Sequence, residues 1–174
     1  MHPSRPKEHS TASLPVLSQA VIVGVGATAL MDIWLLLLQR AGVPTMDVAL
    51  LGRWVGHLFN GRLAHDAIRR TPAIAAELGP GWLTHYAVGI AFAGLLVALQ
   101  GASWLDKPAL LPALAWGLTT AATPLLVLQP AMGAGIASTR TPTPLKSSLR
   151  SLANHAVFGL GLYLSAAAQT RLAA

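Results

Sequence analysis

Asp32, His85, Gln129, Asn154 and His155 are polar residues in or at the ends of stretches that are otherwise apolar. An acid and two imidazoles embedded in this way have few uses. They relay protons, they hold a divalent cation such as zinc, or they hydrogen-bond one another to fix helix packing. A carboxylate facing lipid is costly, so Asp32 is expected to turn inward and to be paired or protonated. Asp32, His85 and His155 form the candidate metal or proton site, and the cofactor they suit is a divalent metal ion. Asn154, Gln129, Arg53 and His57 complete the candidate polar site, with His65 and Asp66 as further loop partners. The bland reading of the same residues is a clasp between helices, with His57 and His65 solvated on a loop. A bis-histidine haem fits less well, because each helix offers one histidine and an acid lies at the same depth.

The elements that must position these groups follow from hydropathy. Apolar runs cover residues 16–38, 82–99, 109–128 and 151–168, each close to the roughly 20 residues needed to cross a bilayer. The chain has 12 Lys and Arg and 6 Asp and Glu, and of these only Asp32 falls inside a run. In lipid the backbone must satisfy itself, so each run is expected to be a helix. The expected fold is all-α and polytopic: a polar tail over residues 1–14, with His2, Arg5, Lys7 and His9, then one four-helix transmembrane domain over residues 15–174. A signal peptide competes for the start, since Ala27-Thr28-Ala29 resembles a cleavage site. The run continues through Leu38, however, which favours a retained helix.

Composition agrees. The chain is 53% hydrophobic and 10% charged, where a soluble domain carries roughly 25% charged residues. With no cysteine, disulfides and thiolate chemistry are excluded. The net charge of +6 sits in the connections between runs, so membrane lipids, not nucleic acid, are the expected partners.

The first connection, residues 39–81, is long. Residues 45–59 read as an amphipathic interfacial helix, with Val48, Leu51, Val55 and Leu58 opposite Arg53 and His57. Thr71-Pro72 reads as the start of a second short helix ending near Gly79, and Gly79-Pro80-Gly81 as a break before the second span. Met132-Gly133-Ala134-Gly135 reads as a flexible helix exit. Trp54, Trp82, Tyr86 and Trp104 read as interface anchors, and Trp34 and Trp116 as packing residues.

Helix direction puts the polar residues in one slab. Runs one and three head toward the long connections and runs two and four leave them, so each polar group lies within roughly 5–12 Å of that face. Three of them share a stripe with glycine: Asp32 with Gly24, His85 with Gly89, His155 with Gly159. Such stripes permit close helix approach. Eight Arg and Lys fall on the long-connection face and four on the other, so loops 39–81 and 129–150 are expected in the cytoplasm.

Several stretches resemble a known family. They are Gly26-Ala27-Thr28-Ala29-Leu30-Met31-Asp32, Gly52-Arg53-Trp54-Val55-Gly56-His57, His65-Asp66-Ala67-Ile68, Gly81-Trp82-Leu83-Thr84-His85-Tyr86, Gln129-Pro130-Ala131-Met132-Gly133-Ala134-Gly135 and Asn154-His155-Ala156-Val157-Phe158-Gly159. Together they resemble the bacterial membrane family known as domain of unknown function twenty-nine thirty-eight. The resemblance implies a four-helix bacterial inner-membrane protein and no particular activity. The functional expectation is a carrier or a proton- or metal-handling membrane component. The alternatives are a membrane-embedded enzyme acting on a lipid or quinone, with Arg53 holding an anionic headgroup, and a non-catalytic accessory subunit. A homo-oligomer or membrane partner is expected because four helices line only a narrow pore.

Overall fold

The computed structural model describes residues 14–173. The tail expected over residues 1–14, with its His2, Arg5, Lys7 and His9, lies outside them except for Leu14. The described chain is all-helical: α1 Val16–Arg40, α2 Val48–Phe59, α3 Leu78–Gln100, α4 Ser103–Asp106, α5 Leu110–Ala131 and α6 Pro144–Ala173. Helices α1, α3 and α5 are long and apolar enough to cross a membrane. Helix α6 is longer at 30 residues, but Lys146, Arg150, Asn154 and His155 dilute its apolar character.

Two boundaries move from expectation. Helix α3 begins at Leu78 and absorbs Gly79-Pro80-Gly81, because a first-turn proline has no partner to lose when it lacks an N–H. Helix α6 begins at Pro144, not residue 151, for the same reason. The second short helix expected from Thr71 does not form. Thr71 is extended ahead of Pro72, closing a 3-10 turn over Ile68–Arg70, since the residue before proline is disfavoured in helical geometry.

The four long helices form an open ring. Helix α1 packs between α3 and α6, α5 packs on α6, and α3 and α5 hardly touch. Glycines set the closed contacts: a Cβ on Gly24 would lie 2.6 Å from the Ile90 Cα, and one on Gly117 2.5 Å from the Gly159 Cα. Val23, Ala27, Leu96, Phe158 and Leu162 fill the core. Leu36, Leu83, Leu95, Leu111, Leu126 and Leu164 project outward, the pattern of a surface solvated by lipid. Trp104, expected as an interface anchor, is 5% exposed and belongs to the core.

On the open side, the Trp116 Nε1–H donates to the Phe92 carbonyl at 2.9 Å and ties α5 to α3. Past that point α5 loosens into a π-helical stretch, Thr123–Leu128. Pro124 explains it: with no N–H to offer, it interrupts the ladder, and the extra residue widens the turn.

Candidate functional site

Asp32 lies on the α1 face turned to α3. The His85 Nε2 sits 2.8 Å from its Oδ1, and the Tyr86 hydroxyl donates to its Oδ2 at 2.9 Å. Two donors on two oxygens suit the carboxylate form, with His85 carrying its proton on Nε2. The His85 side chain is 8% exposed and that of Asp32 21%. Adjacent residues of α3 both reach Asp32 because Gly89 allows the backbone of α1 to come close, Thr28 filling the place of its missing side chain. Tyr86, read from sequence as an interface anchor, is therefore a partner of the acid. Its position next to His85 was the available signal.

His155 is held separately. Its Nδ1 lies 2.8 Å from the Thr120 Oγ1, and that hydroxyl donates to the Gly117 carbonyl at 2.6 Å. The hydroxyl has one proton, so with that proton on Gly117 the imidazole is the donor and Nε2 keeps its lone pair. Among the described residues neither His85 Nδ1 nor His155 Nε2 has a hydrogen-bond partner. Both imidazoles line one cavity of about 390 Å³, otherwise walled largely by apolar side chains such as Met31, Leu35, Phe92 and Phe158. It lies on the open side of the ring. Val88 of α3 and Val127 of α5 line it while remaining 37% and 58% exposed, so it opens between those helices. No Lys or Arg lines it among the described residues.

The expected three-ligand metal site needs correction. Among the described residues no group of three or more His, Asp or Glu side chains is gathered to hold a metal ion. Asp32 spends both oxygens on His85 and Tyr86, and it lines a second cavity with Gln39, Thr45 and Asp47 rather than the one that His155 lines. His85 stands between the two. Asn154 and Gln129 line the first cavity but are engaged: Asn154 accepts from the Trp34 indole at 3.0 Å, and Gln129 joins Ser138 and Ser151. Trp34 thus does more than pack.

The first loop also departs from expectation. Arg53 forms a bidentate pair with Glu77 at 2.9 and 2.8 Å and donates to the Thr71 carbonyl at 3.1 Å. It has no fork left for a lipid headgroup. His57 bonds the Pro72 carbonyl through Nε2 at 3.0 Å. His65 is not solvated: it is 5% exposed, with Nδ1 3.2 Å from the Thr71 hydroxyl and Nε2 unpartnered. Asp66 stays exposed. The loop is sewn to the end of α5 and the residue after it, because His65 N–H donates to the Ala131 carbonyl and Ile68 N–H to that of Met132. Gly133, at φ +92°, abuts the Asp66 carbonyl, so Met132-Gly133-Ala134-Gly135 is a docking surface rather than a loose exit. Helix α2 packs on α3, starting at Asp47, whose side chain caps Ala49 N–H at 3.0 Å, and its Leu51 and Trp54 line the first cavity.

This clasp should weaken in acid. The hydrogen bond from Arg53 holds the Glu77 carboxyl below its ordinary 4.5. Burial, then Arg62 and His57, holds His65 below its ordinary 6.5. Both shifts are downward, so both contributions are complete above the ordinary values and fade as pH falls through the folded ones. The His65 contribution goes first. Hydrogen exchange over residues 60–77, corrected for intrinsic rate, should be faster at about pH 5.5 than at about pH 7.5. Equal corrected rates, or protection that grows in acid, would contradict the clasp.

A family model described as "Protein of unknown function (DUF2938)" matches residues 21–169. No curated protein and no solved structure matches the chain.

Proposed function

Because the chain belongs to the DUF2938 family of proteins of unknown function, we propose from its geometry that it is a proton-handling bacterial inner-membrane protein with a hydroxyl-bearing, neutral lipophile of the quinol class as its ligand. The observation that carries this reading is the pair of imidazole edges, His85 Nδ1 and His155 Nε2, unpartnered in one cavity lined largely by apolar side chains and open between α3 and α5; the hydrogen bonds at the opposite ring nitrogens leave each edge a lone pair. Two acceptors call for two donors, as hydroxyls on a ring supply. An anionic headgroup is disfavoured, since no cation lines the cavity among the described residues and Arg53 is taken by Glu77. The volume of about 390 Å³ lies at the small end of ligand pockets, which suits a ring whose tail leaves between α3 and α5. The reading joins the proton-handling and quinone expectations and sets aside the metal.

Four spans accompany it. Helix α6 packs along both α1 and α5, so if those helices cross the bilayer α6 crosses with them, its Asn154 and His155 turned to the first cavity and Leu160 and Leu164 outward. The basic asymmetry supports loops 39–81 and 129–150 in the cytoplasm. A reporter active only in the periplasm should then give signal from the C-terminus, and silence from a stably expressed fusion reverses the orientation.

The ligand is tested by thermal unfolding of the purified protein in lipid nanodiscs with ubiquinol-1 or its dimethyl ether. Binding stabilises the folded state by about 2.7 kcal/mol at a hundred times Kd. The diol should raise Tm and the ether, which cannot donate, should do so far less. Equal shifts, or none, overturn the reading.

A further inference from the structure

The Asp32–His85 pair separates two cavities of different character. On the His85 side is the ligand cavity. On the Asp32 side is a cavity of about 560 Å³ lined by Asp32, Gln39, Thr45 and Asp47 together with apolar residues. It lies between the loop end of α1 and the start of α2, where the Gln39 amide donates to the Thr45 hydroxyl at 2.6 Å. Leu35 and Met46 border both cavities and part them. We propose that the Asp32–His85 pair is a proton link between these compartments, passing protons between a ligand hydroxyl and the water of the loop face while the ligand itself stays in an apolar site.

The inference rests on the ligand reading above and adds the route. His85 Nε2 faces Asp32 at 2.8 Å, and its Nδ1 is the free edge. When the ligand O–H bond breaks, its proton forms the Nδ1–H bond. The Nε2–H proton passes to the Asp32 Oδ1, and Asp32 releases it to water in the second cavity. One proton leaves the ligand, one enters water, and no electrons change partner. The reverse sequence protonates the ligand and restores the Nε2–H tautomer. Tyr86 holds the other carboxylate oxygen at 2.9 Å and so keeps Oδ1 aimed at the imidazole. The titratable groups facing the pair are Tyr86 on α3, Asp47 at the start of α2, and His155 on α6 across the ligand cavity; no Lys or Arg lines either cavity among the described residues. Asp47, Gln39 and Thr45 give the second cavity, otherwise walled by side chains such as Ile33, Leu36 and Trp82, a polar edge that suits water at the loop end of α1, whereas the largely apolar walls of the first suit a ligand that must keep water out.

The test needs no ligand, so its failure is distinct from failure of the ligand reading. The absence of cysteine allows single thiols to be placed without background. Thr45→Cys in nanodiscs should react with a charged, water-soluble methanethiosulfonate, and Val127→Cys only with an uncharged lipophilic maleimide. In parallel, exchange of the His85 Nε2–H with water is followed by NMR of ¹⁵N-histidine protein. Asp32→Asn keeps an acceptor but cannot carry the proton onward, and should slow that exchange about ten-fold or more. Thr45→Trp, which fills the second cavity from its loop side and leaves Asp32 and His85 unsubstituted, should slow it as well. A Thr45→Cys thiol silent to the charged reagent, or exchange unchanged in both variants, overturns the link even if ubiquinol-1 binds. Charged reagent reaching Val127→Cys as readily as Thr45→Cys overturns the separation of the two compartments.

Discussion

Asp32→Leu is expected to destabilise the folded protein by about 2–4 kcal/mol, because two donors lose their acceptor together and each buried unsatisfied group costs roughly 1–3 kcal/mol. The donors are the His85 Nε2–H and the Tyr86 hydroxyl. Relief from holding a carboxylate away from water offsets part of that cost, which keeps the figure below the sum of two full penalties. Asp32→Asn retains an acceptor for His85 and presents its amide to Tyr86, whose oxygen can accept, so about 1 kcal/mol is the expected loss. The ordering matters more than either value. Unfolding in a mild detergent series should rank wild type, then asparagine, then leucine. A leucine variant as stable as wild type would mean that the carboxylate is not a clasp at all and that its burial is supported by other contacts. Asparagine and leucine losing the same amount would point to charge, not hydrogen bonding, as the stabilising property.

Gly117→Leu should be at least as damaging, by about 3 kcal/mol or more, since overpacking a close-packed contact costs 1–3 kcal/mol and occasionally more. A Cβ at residue 117 would lie 2.5 Å from both the Gly159 Cα and the His155 carbonyl oxygen. These are backbone atoms of α6, so the two helices must separate, and flexible side chains cannot absorb the change. Separation also pulls Thr120, one turn along, away from His155. Gly94→Leu is the matched control: it sits in α3 with nothing within 4 Å of its Cβ, and it faces outward enough to be tolerated. The comparison is read as the midpoint of thermal unfolding for the two variants side by side. Similar midpoints would show that the α5–α6 contact does not hold the ring together.

Much of this architecture is legible in the sequence because hydropathy is a blunt constraint. An uninterrupted apolar run has few structural options in lipid, and so α1, α3 and α5 are found where hydropathy puts them. The inward turn of Asp32 toward His85 is legible for a similar reason, since an acid without a partner in an apolar run is too costly to keep. The ends of helices are less legible. Pro80 looks like a break, yet it sits in a first turn where its missing N–H loses nothing, and Pro144 likewise opens α6 seven residues ahead of its apolar run. The partners of long polar side chains were hidden altogether. Arg53 looks free on an amphipathic face until the chain folds Glu77 back against it across 24 positions, and Tyr86 and Trp34 look like anchor and packing residues until their donors meet Asp32 and Asn154. The π-helical stretch of α5 could have been suspected from Pro124 alone, and with it the opening between α3 and α5. The separation of Asp32 and His155 into different cavities could not be foreseen, because depth along a helix says nothing about which side of a neighbour a group faces.

The central claim is that the space beside His85 and His155 holds a neutral lipophile entering between α3 and α5. The most direct measurement is native mass spectrometry of the protein released from its own membrane, set beside Val88→Trp, which fills the α3 wall of that space. The account predicts a wild-type peak carrying one neutral, hydroxyl-bearing lipophile, and a folded variant, no less stable than wild type stripped of that lipophile, that carries none. A phospholipid retained equally by both, or a wild-type chain always released empty, would contradict it.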